Sequence, residues 1–96
     1  MHIALHEGFL NDNVVIEYEG KEVFNKSEIK TKQQIGFADS IEVNVNNNPT
    51  IVVKIPSRGI SKNIEVDVEK TPYIGLSLTS EGTLETKFSA EPFRYM

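Results

Sequence analysis

The sequence predicts an all-β chain, folded as an antiparallel β-sandwich of 7–9 short strands. Three observations predict it. Apolar side chains recur at every second position through most of the 96 residues, which is the period of a strand with one buried face. Clusters of Asn, Asp, Gly and Pro interrupt that alternation at short, roughly regular intervals, as turns do between sandwich strands. No long segment repeats its apolar residues at the helical period.

From the start of the chain, Ile3 and Leu5 alternate with His2, Ala4 and His6, giving a first strand. Gly8 and the Asn11-Asp12-Asn13 cluster are expected to close it. Val14, Ile16 and Tyr18 then alternate with Val15, Glu17 and Glu19, and the Glu-Gly-Lys-Glu run at 19–22 has hairpin chemistry. The return strand is short, 22–25, with Val23 facing the core. The polar stretch 26–34 reads as a loop or a ragged edge, where Lys26, Lys30 and Lys32 would discourage pairing with other chains. A single helical turn at 27–30, capped by Ser27, is the alternative there. Ile35 and Phe37 are expected to begin the next strand.

The stretch 41–68 carries three strand signals in a row, and we expect the rest of the chain to be laid around it as a meander. Ile41, Val43 and Val45 share one face; Ile51, Val53 and Ile55 repeat the pattern; Ile64, Val66 and Val68 repeat it again. Asn46-Asn47-Asn48-Pro49 breaks the first pair, because Asn tolerates left-handed angles and Pro donates no hydrogen bond. Pro56 to Gly59 breaks the second. After Pro72, Ile74, Leu76 and Leu78 alternate with Tyr73, Gly75 and Ser77. Ser80-Glu81-Gly82 marks another hairpin, and Leu84, Thr86 and Phe88 return opposite Glu85 and Lys87, with Leu84 and Phe88 expected inside. This strand plan is similar to immunoglobulin-like or transthyretin-like sandwiches. The likeness is architectural and implies a fold, not an activity.

Length sets one domain, 1–96. The absence of cysteine removes disulfides, thiolate chemistry and cysteine-ligated metals. No basic head with an apolar run opens the chain, and no stretch approaches the roughly 20 apolar residues that cross a bilayer. A cytoplasmic protein without membrane contact is the expectation. Net charge is −4, with the acidic excess in the first half. Nucleic acid is therefore not an expected partner, since phosphate neutralisation needs a basic face.

Few residues suggest chemistry. His2 and His6 lie four apart on a strand, roughly 13 Å, too far to share a metal, and read as surface histidines. Asn11-Asp12-Asn13 offers oxygen ligands but one carboxylate, whereas calcium takes about six to eight oxygens; no metal and no cofactor is expected. Arg58 and Gly59 make the best anion-binding candidate, because Arg can fork onto a carboxylate or phosphate and Gly lets backbone N–H groups approach. No setting for a nucleophilic serine or a paired-acid cleft surrounds the remaining polar residues, so no catalytic residue is named and the protein is not expected to be an enzyme. The end of the chain, Pro92-Phe93-Arg94-Tyr95-Met96, is apolar and aromatic. It either folds back onto the sandwich, the favoured expectation, or docks on a partner through Phe93, Arg94 and Tyr95. The function these observations support is a non-catalytic protein-interaction or assembly module, with a protein partner or a second copy. A carbohydrate- or small-ligand-binding sandwich is the alternative.

Overall fold

A computed structural model describes residues 1–45 and 48–94. Among the described residues eight strands form: β1 (His2–Leu5), β2 (Leu10–Tyr18), β3 (Lys21–Lys30), β4 (Asp39–Glu42), β5 (Thr50–Ile55), β6 (Ile60–Glu65), β7 (Tyr73–Leu78) and β8 (Leu84–Ser89). They make two four-stranded sheets, ordered β4-β1-β7-β8 and β3-β2-β5-β6. The second sheet is antiparallel throughout. The first is mixed, because β1 runs parallel to β7. The all-β sandwich is thus as the alternation predicts, with one parallel pair inside it.

The core lies between the sheets. Ile3, Leu5, Ile74 and Leu76 from one face meet Val14, Ile16, Ile51, Val53 and Ile55 from the other, each with at most 1% of its surface exposed. Three hairpins match the turn signals: β2–β3 through Glu19-Gly20, β5–β6 through a 3-10 turn at Pro56–Arg58, and β7–β8 through 79–83.

The meander does not form as one. β4 pairs with β1, not β5, so the segment after Glu42 crosses from one sheet to the other. Part of the Asn-rich turn, positions 46 and 47, lies outside the described residues. Pro49, beyond it, accepts the Val66 N–H at 2.9 Å. Alternation identifies strands but not neighbours, and β4 lies beside β1 with Ile41 opposite Ile3. Other boundaries also differ. Asn11, Asp12 and Asn13 lie within β2, not in a closing loop. The stretch 26–34 divides: residues to Lys30 extend β3 as a bulged edge strand, with no helical turn at 27–30, and a Lys32–Phe37 bridge follows. Ile35 sits in that turn and the next strand starts only at Asp39.

Phe88, expected inside, does not become buried, and a bulge in β2 decides which of Phe9 and Leu10 enters the core. Asn11 adopts φ +57° at a bulge where Leu10 and Asp12 face adjacent residues of β3. An extra residue reverses which side chains point inward. Leu10 is consequently 62% exposed, and Phe9 is fully buried in its place. Phe88 points toward the inner side but stands on β8, the end strand of its sheet, and remains 45% exposed.

Candidate functional site

Three places gather the residues that the sequence singles out. The first joins Asp12 to the turn after β5. The bulge at Asn11 leaves Asp12 buried at the rim, and the 3-10 turn brings Ser57 and Arg58 over it. Arg58 Nε donates to Asp12 Oδ1 at 2.8 Å and Nη2 donates to Oδ2 at 3.1 Å, a two-pronged fork. Ser57 Oγ donates to the same carboxylate at 3.1 Å, and the Leu10 N–H donates at 2.8 Å. Arg58 also reaches the Gly8 carbonyl at 3.3 Å. Burial alone would push the Asp12 carboxyl up; the Arg58 fork and the two further donors outweigh it and hold it below the usual range. Gly59, at φ +66°, closes the turn through its N–H to Pro56. The anion that Arg58 grips in this structure is the chain's own Asp12.

The second place is the outer face of the β4-β1-β7-β8 sheet. His2, Ala4 and His6 of the first strand's line meet Tyr73, Gly75 and Ser77 of β7 there, through the register His2–Tyr73 and Ala4–Gly75. Phe93 and Arg94 fold back onto this face. The Phe93 ring stands edge-on to the His6 ring, centroids 4.7 Å apart at 88°. Gly75 makes room for both: a Cβ there would lie 2.5 Å from the His6 ring and 3.2 Å from Phe93. Tyr95 lies outside the described residues. Around this contact, His6, Glu7, Ser77, Lys87, Phe93 and Arg94, with the 35–36 turn, line an open cleft of about 460 Å³. Desolvation lowers the His6 pKa, Lys87 lowers it further, and Glu7 opposes both. At neutral pH the cleft therefore presents a neutral imidazole between one carboxylate and two cations. His2, farther along, pairs with Glu42 at 2.9 Å and tilts against Tyr73. Among the described residues no three His, Asp or Glu side chains converge to hold a metal, and no helix is long and apolar enough to cross a membrane.

The chain matches no protein-family model, no curated protein and no solved structure. What distinguishes its surfaces must therefore come from their own geometry.

The third place is the free edge of β8. Among the described residues β8 pairs on one side only, with β7, in regular register from Leu78–Leu84 to Tyr73–Ser89. Its inner-side residues are Leu84, Thr86 and the half-exposed Phe88. The Thr86 hydroxyl is shielded from solvent and has no hydrogen-bond partner among the described residues. Sequence reasoning passed over this edge, because a Leu-x-Thr-x-Phe alternation reads the same on a central strand as on an end strand.

Proposed function

We propose that this protein is a non-catalytic interaction or assembly module whose contact surface is built on β8 and the adjoining chain end. The observation that carries the reading is the half-exposed Phe88 on an unpaired edge strand. Edge strands offer a row of donors and acceptors to an added strand, and an exposed aromatic supplies the apolar anchor interfaces use. Phe93 and Arg94 share the outer-face cleft with Lys87 of β8 and extend the proposed surface. An acidic chain argues against nucleic acid as the partner, and a cytoplasmic setting suits a protein that uses no disulfide. Immunoglobulin-like and transthyretin-like plans host many unrelated roles, so the reading rests on surfaces.

The test is sedimentation of the purified chain, alone and with extract of its native host. Association that Phe88→Ser weakens several-fold, with unchanged thermal unfolding, supports the reading. A chain that neither self-associates nor binds any protein ends it. The cleft of about 460 Å³ beside Phe93 favours a second reading, a carbohydrate or other small ligand. A glycan array with no hits, together with a His6 resonance unmoved by a small-molecule library, would remove it.

A further inference from the structure

The four end strands of the two sheets are not equally protected. β3 is bulged at three places and bears Lys21, Lys26 and Lys30. β4 has only four residues, and Lys26 bonds Asp39 across it at 2.7 Å. β6 turns Lys62 toward the inner side, where an ion discourages a second sheet from closing. β8 has six residues, regular register, no bulge and no proline. One acceptor is shared: Lys62 Nζ donates to the Leu84 carbonyl at 3.2 Å. A carbonyl has two lone pairs, so even that group retains capacity.

The direction of the edge's backbone groups follows from the hairpin. The Thr79 N–H donates to Thr83 O at 2.9 Å. In antiparallel pairs, hydrogen-bonded and non-hydrogen-bonded positions alternate. With the register Ser77–Glu85 and Gly75–Lys87, Glu85 and Lys87 bond toward β7. Leu84, Thr86 and Phe88 direct their N–H and C=O groups outward. The Lys62 contact to the Leu84 carbonyl from outside agrees with this.

We propose that a second copy of this chain pairs with β8 antiparallel about a twofold axis at Thr86, joining two four-stranded sheets into one of eight. This deepens the interaction reading above by naming the partner. The register is the one the outward groups allow: Thr86 opposite Thr86, and Leu84 opposite Phe88 twice. It places each Phe88 beside an apolar residue of the other copy. It sets the two unpartnered Thr86 hydroxyls side by side, a pairing that cross-strand threonines make. On the outer face it puts Glu85 opposite Lys87 twice, an opposite-charge match at both positions. A perpendicular twofold keeps both inner faces on one side, so the apolar row continues across the junction. A self-complementary patch of this kind is what a closed dimer requires.

Light scattering during size-exclusion, over several decades of concentration, reads the result. The native chain should pass from 10.8 kDa to twice that mass. Glu85→Lys and Lys87→Glu each place like charges opposite one another and should each yield monomer. Mixed one to one, these two variants face opposite charges again and should recover the dimer mass. Both residues are exposed, so circular dichroism should show each variant folded. Thr86→Cys adds the chain's one thiol, at positions about 5.5 Å apart between Cα atoms, within disulfide reach; oxidation should link the two copies. A native chain that stays monomeric throughout overturns the proposal. So does a dimer indifferent to both charge changes. A monomer that still binds a different protein through Phe88 would sink the dimer alone, leaving the interaction reading in place.

Discussion

Asp12 shows how one side chain can settle a turn. It is 3% exposed, and a carboxylate so placed is costly unless paired. Arg58→Ala leaves it without its fork. The expected loss is about 2–4 kcal/mol by urea unfolding, below the roughly 3–5 of a fully buried pair because Arg58 itself meets solvent. The pH dependence has a definite sign. The folded pKa of Asp12 lies below its ordinary value, so its contribution is complete above the unfolded carboxyl's value of about 3.9 and fades as pH falls through the folded one. Asp12→Asn should therefore be less stable than the native chain at pH 7, with the gap narrowing in acid. If the gap were the same at pH 7 and at pH 2.5, the ion pair would not be its source. His6 carries the opposite charge type with the same depressed direction. Its imidazole stays neutral where a free one is charged, so its contribution is full above about 6.5 and falls as pH drops through the folded pKa. In a proton NMR titration, Lys87→Gln should raise the His6 midpoint and Glu7→Gln should lower it. The sequence marked both residues but not their partners. Asp12 and Arg58 are 46 positions apart, and only the fold brings them into contact.

Alternation made most strands legible, and bulges explain much of what it missed. The left-handed φ of Asn11 and Glu28 reverses the facing of side chains beside them. Ile29 enters the core from a stretch that looks polar throughout. Thr31 is buried next to it, donating to the His6 carbonyl at 2.6 Å and accepting the Phe9 N–H at 3.1 Å. A bulge has no compositional mark beyond a residue that tolerates positive φ, and glutamate at 28 does not advertise one. Pairing order was illegible for a different reason: β1 has two neighbours, β4 and β7, neither adjacent to it in sequence. Lys62 yields a test at this scale. It is an ionic side chain on the inner side of an end strand, tied to the carbonyl of Leu84 on the other sheet. Lys62→Met should keep the packing stem while freeing that acceptor and making the flank apolar. The expected outcome is tighter self-association by light scattering, or aggregation at high concentration. Unchanged association would show that the ammonium does not guard the edge.

Across the whole molecule, the chain end and β8 belong to one side of the first sheet. Phe93 seals the centre of its outer face, where Ala4 and Gly75 are buried. A side chain at Gly75 would displace it, which explains why a strand interior carries a glycine despite the cost of one there. Removing residues 92–96 should uncover the His6 ring, raise its titration midpoint toward the ordinary value, and lower stability by about 1–2 kcal/mol, a fraction of a fully buried Phe because Phe93 is only half-buried. Differential scanning calorimetry would register that as a fall of several degrees in Tm. The mass of the truncated chain carries the sharper information. Phe93 packs over Gly75 and His6, one strand in from the proposed junction at the free edge of β8. Truncation should therefore leave the β8 dimer intact while the His6 midpoint moves. A truncated chain that becomes monomeric with His6 unchanged would place the contact on the chain end, and β8 would lose its role.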